Sequence, residues 1–184
     1  MSIKGVGMVS LGCAKNRVDG EIMLGLVKEA GYEIVSDPAQ ADAIVVNTCG
    51  FIEPAKEESI DAILEMAQFK KTGRLQLLIV TGCLSQRYPE ELARELPEVD
   101  ALLGVGQQQE IVKTLERAAA GERPVATGYP RCFPETRRLL TTGAYSAYLK
   151  IGEGCDNRCA YCAIPGIRGP YFSRPAESVL REAA

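Results

Sequence analysis

The stretch AIVVNTCGFIEPAKEESIDAILEMAQFKKTG, residues 43–73, changes character in mid-course. AIVVNT (43–48) is a short apolar run without the polar alternation of a half-exposed strand, so it reads as a strand buried on both faces. FIEPAKEESIDAILEMAQFKKTG (51–73) then reads as a helix, with Pro54 near its start, acids in the early turns and lysines near its end, as the helix dipole favours. The same strand-then-helix unit recurs on either side. GVGMVSLG (5–12) precedes a helical pattern in which Ile22, Leu26 and Ala30 share a face and Gly31 supplies the stop. YEIVSD (32–37), LQLLIVTG (75–82) and ALLGVG (101–106) read as further strands, with a helix over roughly 88–96 and another ending in AAAG (118–121). Strands alternating with helices, and apolar within, predict an α/β fold: an open parallel sheet with helices on both faces.

This first domain is expected to occupy residues 1–121. ERPVATGYPRCFPETRRLLTTG (122–143) holds three prolines and little periodicity, and reads as a linker. AYLKIGEG (147–154) then reads as a new strand, opening a second unit over 144–184. No internal repeat is visible.

Composition narrows the chemistry. The 184 residues are 46% apolar and 24% charged, with a formal charge of −3, which is the profile of a soluble globular protein. No apolar run approaches the ~18 residues of a transmembrane helix, and MSIKGVGMVSLGC lacks the layout of a signal peptide. The expected location is the cytoplasm, away from membranes. The densest basic stretch, RCFPETRR (131–138), reads as a solvated loop, so no direct nucleic-acid partner is required. Histidine is absent, which removes His-based triads and Cys2His2 zinc sites. Cysteine numbers seven, an odd count without an export signal, which favours metal or redox chemistry over a disulfide framework.

Three cysteines stand at equivalent places. Cys13 follows VSLG, Cys49 follows VVNT and Cys83 follows IVTG, each just beyond the C-terminal end of a predicted parallel strand. In an open α/β sheet these ends share the edge at which ligands bind. Any one of them is also compatible with a small buried apolar residue. Convergent soft thiolates without histidine suit an iron–sulfur cluster better than magnesium or calcium. Cys155, Cys159 and Cys162 form a second set at C-x3-C-x2-C spacing, straight after a strand. A zinc ribbon needs a fourth ligand, and none lies nearby in paired spacing. Three ligands on a four-iron cluster leave one iron open, which is what separates catalytic from structural metal sites. Cys132, isolated in the linker, reads as a plain thiol.

CDNRCAYC, with Tyr161 just before the last cysteine, resembles the cluster motif of radical S-adenosylmethionine enzymes. VSLGCAKNRVDGE, VVNTCGFIEPAKEES and VTGCLSQRYPEEL resemble the three signature stretches of the radical S-adenosylmethionine methylthiotransferases. The resemblance runs from about residue 6 to the end. It implies two 4Fe–4S clusters, on Cys13, Cys49 and Cys83 and on Cys155, Cys159 and Cys162. It further implies S-adenosylmethionine bound to the open iron of the second cluster, with Tyr161 near its adenine; simple packing is the other role open to Tyr161. No acid–base catalytic residue is assigned. The GCAKN and NTCGFIE forms look like the branch that methylthiolates the β-carbon of an aspartate in ribosomal small-subunit protein twelve, with a tRNA adenosine branch as the alternative.

That resemblance implies a radical abstracting hydrogen from an unactivated carbon, followed by transfer of a methylthio group whose sulfur is carried at the first cluster. An external electron donor and a sulfur source are the implied partners. The family's second domain is a (β/α) barrel, of which 144–184 would be only the start, so an N-terminal fragment inactive alone is the expectation. A non-catalytic iron–sulfur electron-transfer or binding module is the rival from another class. A dinucleotide site at Gly104 and Gly106 lacks the third glycine of its fingerprint.

Overall fold

A computed structural model describes residues 3–130, 132–133 and 137–184. Its centre is a six-stranded, wholly parallel sheet in the order β2-β1-β3-β4-β5-β6. The strands are β1 (Gly5–Ser10), β2 (Glu33–Ile34), β3 (Ala43–Thr48), β4 (Leu77–Gly82), β5 (Ala101–Leu103) and β6 (Val125–Ala126). The α/β expectation holds, and the physical reason is burial: every residue of β3 and β4 is buried. Successive residues feed opposite cores. Ile44, Val46, Leu78 and Val80 pack beneath Ile63 and Met66 of α2 (Glu53–Thr72). Ala43, Val45, Leu77 and Ile79 pack against Met23 and Val27 of α1 (Ala14–Glu29) and Ile111 and Leu115 of α5 (Ile111–Ala119).

Several boundaries differ from the sequence reading. The helix expected over 88–96 is α4 (Pro89–Glu95), and a short helix that the sequence reading did not give, α3 (Cys83–Arg87), precedes it. Tyr88 separates them at φ −134°, ψ 50°, because a residue before proline is kept out of the helical region. Helix α1 ends at Glu29 and Ala30 is exposed, so the Ile22–Leu26–Ala30 stripe is not its full buried face. Much of α1 is covered because a second layer lies on it: a Cβ at Gly25 would collide with the Arg137 carbonyl, and the Leu139 amide donates to the Glu21 carbonyl at 3.0 Å.

That second layer comes from the segment read as a linker. Val125–Ala126 join the sheet beside β5, and residues 137–141 run along α1. The basic stretch 131–138 lies partly outside the described residues, but its Arg138 is no solvated residue. Its side chain is only 9% exposed and pairs with Glu21 at 3.2 Å and Glu182 at 2.6 Å.

Of the strand expected over 147–154, only β7 (Gly152–Glu153) forms, antiparallel to β8 (Phe172–Ser173). A strand extends only as far as it has a neighbour, and β8 is two residues long. Between them lie the Cys155 loop and α6 (Ile164–Arg168); α7 (Ala176–Ala183) follows. No helix among the described residues is long and apolar enough to cross a membrane.

Candidate metal centre

In strand order β2-β1-β3, the sheet reverses its direction of growth between β1 and β3, and a crevice opens outside the strand ends at such a reversal. Cys13 and Cys49 leave the two strands that flank it, and Cys83 leaves the next. The three loops are packed on one another. A Cβ at Gly12 would stand 2.9 Å from Cys49 Cβ and 3.3 Å from its Sγ. One at Gly50 would meet Leu84 Cα at 2.8 Å and the Cys83 carbonyl carbon at 3.0 Å. Gly12 and Gly82 have φ of 86° and 99°, conformations that a residue with a Cβ resists.

Polar side chains lock this arrangement from below. Asn16, fully buried, donates through Nδ2 to the carbonyls of Thr48 (2.8 Å) and Leu11 (3.2 Å), tying the β1 loop to the β3 loop. Thr48 Oγ1 donates to Thr81 O at 2.6 Å, and Arg87 Nη1 to Gly50 O at 3.0 Å, tying β3 to the Cys83 turn. Ser59 of α2 grips Cys49 by its amide and its carbonyl, both at 3.0 Å. Cys13 is the N-cap of α1.

Cys83 is the buried member of the trio; Cys49 is half-buried and Cys13 exposed. Burial pushes the Cys83 thiol up, the Arg168 guanidinium opposes this, and the neighbouring Cys49 and Cys13 reinforce it. Left alone the thiol keeps its proton; a coordinated metal would displace it.

Among the described residues, no three Cys, Asp or Glu side chains are placed to hold a single metal ion. A multi-iron cluster makes a different demand, since each thiolate takes a separate iron and the sulfurs need not meet at one point. Three soft donors, on loops that Gly12 and Gly50 allow to pack closely together, fit such a cluster.

The second set sits on the loop between β7 and α6. Cys155 and Cys162 are half-buried and Cys159 is exposed. The Cys155 amide donates to Gly169 O and the Cys162 amide to Cys159 O, both at 3.0 Å, so the loop is closed at its base and turned at its tip. Tyr161 is 89% exposed, which excludes the packing role within the described fold. Cys132 is exposed and joins neither set.

Sequence reasoning missed the layer that joins the two sets. Glu153, two residues before Cys155, is 2% exposed, as is Arg168, six residues after Cys162. They pair at 2.8 Å, and Arg168 also reaches Asp19 of α1 at 3.2 Å. Lys150 bridges Asp19 and Glu153, and Lys15 donates to Glu153 at 3.0 Å. Burial works to raise the Glu153 carboxyl, but Lys150 and Arg168, with hydrogen bonds from Lys150 and Lys15, hold it at about 2. One signal was available: Asp19 stands three residues before Ile22, an acid on the apolar stripe of α1.

Residues 5–104, the sheet up to β5 with all three strand-end cysteines, match the model of the uncharacterized protein family UPF0004. The chain belongs to this family. Beyond its UPF0004 domain it is similar along its length to curated relatives. It is 52% identical over 185 aligned positions to the ribosomal protein uS12 methylthiotransferase RimO of Pelotomaculum thermopropionicum, covering all of the chain and 41% of that protein. The RimO proteins of Pelobacter propionicus and Clostridioides difficile are 56% and 52% identical, each over 97% of the chain and 40% of their own length. The UPF0004 chain thus spans about two-fifths of the length of the curated relatives it matches.

Proposed function

We propose that this chain is the N-terminal part of a cytoplasmic methylthiotransferase that modifies the β-carbon of an aspartate in ribosomal protein uS12. The observation that carries the proposal is identity above half, across nearly the whole chain, to proteins named ribosomal protein uS12 methylthiotransferases. The geometry supports it: two three-cysteine sets lie on either side of one buried ionic layer. In this reading Cys13, Cys49 and Cys83 hold one 4Fe–4S cluster, Cys155, Cys159 and Cys162 hold another, and Tyr161 lies near S-adenosylmethionine. The radical domain begins near residue 144.

Such clusters, with S-adenosylmethionine, supply radical abstraction of hydrogen from a carbon that acid–base groups do not activate. The chain's own residues do the positioning. Asn16 and Ser59 fix the loops of the first set, and Cys83 lies against the apolar pair Val105 and Ile167, which keep water from its sulfur. The Glu153–Arg168 pair and the Cys155–Gly169 hydrogen bond close the base of the second loop. Exposed Tyr161 and Cys159 leave that loop's outer side open for a cofactor. An external electron donor and a sulfur source complete the requirement.

Deletion of the gene, followed by mass spectrometry of ribosomal proteins and tRNA, tests the reading. Loss of the methylthio mass from uS12 with tRNA unchanged is expected; loss from tRNA alone would overturn it. An iron–sulfur electron carrier without radical chemistry predicts no change in either, and no spectral response of the reduced protein to S-adenosylmethionine.

A further inference from the structure

Arg168 is the largest of the fully covered side chains, and a buried guanidinium has to be compensated group by group. Its Nη1 donates to Glu153 at 2.8 Å and to Asp19 at 3.2 Å; its Nη2 donates to Asn16 Oδ1 at 2.6 Å and to Asp19 at 3.2 Å. Nη2 also reaches the sulfur of Cys83 at 3.7 Å. The two covered cations, Arg168 and Lys150, match the two carboxylates Asp19 and Glu153, with the half-exposed Lys15 at the rim. Beyond the carboxylates Arg168 reaches the Asn16 side chain and a thiol.

Resting on the cluster reading above, we infer that Arg168 is a positioning residue of the Cys13/Cys49/Cys83 centre. It donates an N–H to the Cys83 sulfur and sets beside that centre the positive charge which favours its reduced form. Hydrogen bonds to the sulfurs and nearby charge are the protein's means of setting a cluster's potential. The Cys83 thiol itself donates to Asn16 Oδ1 at 3.5 Å. A metal-bound sulfur has no proton to give, whereas the Arg168 bond survives coordination. The side chain belongs to the far end of the Cys155 loop, so the loop that carries one cysteine set supplies the electrostatic partner of the other.

The test uses the full 184-residue chain with Cys155, Cys159 and Cys162 replaced by Ala, so that one set of thiolates remains. After anaerobic loading with iron and sulfide, its potential is read by redox titration with electron paramagnetic resonance. Arg168→Gln should raise the oxidised-to-reduced ratio at fixed ambient potential about tenfold, a fall of about 59 mV for a one-electron couple. Iron and sulfide per chain should be retained, and Arg168→Lys should recover part of the shift. Asp19→Asn, which removes a carboxylate that neutralises Arg168, should move the potential the opposite way. A purely structural role predicts no such reversal of sign. Unmoved potentials in loaded variants overturn the inference, and if Arg168→Gln does not fold, Asp19→Asn decides alone. A parent protein that takes up no cluster overturns the cluster reading first, and this inference with it.

Discussion

Two glycines with similar positive φ are under different constraints. Gly31 (φ 92°) has nothing within 4 Å of a Cβ, whereas at Gly82 (φ 99°) a Cβ would meet the Thr48 carbonyl and stand 2.7 Å from Asn47 Oδ1. Ala at Gly31 should therefore cost only its left-handed strain, about 1–2 kcal/mol. Gly82→Ala should cost more in urea denaturation and also lower iron uptake, since Gly82 carries the chain into Cys83. Equal losses at the two sites would mean that the crevice does not constrain Gly82. Asp42 makes a pH-dependent case remote from the cysteines. Burial works to raise its carboxyl, but the amides of Gly5 and Lys4, both at 2.9 Å, and Arg74 hold it below the usual range. A depressed folded-state value means full stabilisation above the unfolded value near ~4, lost as pH falls through the folded one. Asp42→Asn should cost about 1–3 kcal/mol at pH 7. Denaturation midpoints taken from pH 5 to pH 2 should fall less steeply in the variant than in the parent.

At the scale of elements, the long strands and helices were legible in place and extent, and the short ones only in part. β1, β3 and β4 are six residues each, β3 and β4 buried throughout and β1 over its first three residues, so their apolar runs stand out in the sequence. β2 and β7 fall inside stretches read as strands but keep only two residues each, and β6 and β8, also of two residues, were not read, because their extent is set by a neighbouring backbone that no local pattern records. The strand-end cysteines were legible for the same reason as the strands that deliver them. The ionic layer was not, because Lys15, Lys150, Glu153 and Arg168 look individually like surface residues, and only the fold of 137–184 over α1 buries the last three. Within α2 the sheet-facing side decides stability. Ile63 is fully buried while Ile60, one turn earlier, is 37% exposed. Ile63→Ala should cost about 2–5 kcal/mol by denaturation. Ile60→Ala should cost well under half of that, and comparable losses would contradict the way α2 lies on β3 and β4.

For the whole molecule the question is how firmly the later segment is held to the sheet domain. Apolar contact between them is modest: Cys83, Val105 and Ile167 form one small buried cluster with Ala163 against it. Polar anchoring on α1 is extensive, and Glu21 is its hub away from the cysteines. Its Oε1 accepts from the Thr141 amide and hydroxyl, both at 2.9 Å, and its Oε2 accepts from Arg138 at 3.2 Å. Arg138 in turn reaches Glu182 on α7 and the Tyr148 carbonyl, so one buried carboxylate holds residues from 138 to 182 against the first domain. Removing it leaves the Arg138 guanidinium short of a partner at a covered position, the costly way to break such a pair. Local opening is governed by contacts like these rather than by global stability. Glu21→Ala should therefore speed amide exchange at Leu139 and Thr141 and tryptic cleavage after Arg137 and Arg138 by at least tenfold. Amides of β3 and β4, which sit in the double-sided core, should exchange as in the parent. Acceleration of both regions together would mean that residues 137–141 and the sheet open as one unit, with α1 depending on that segment as much as the segment depends on α1.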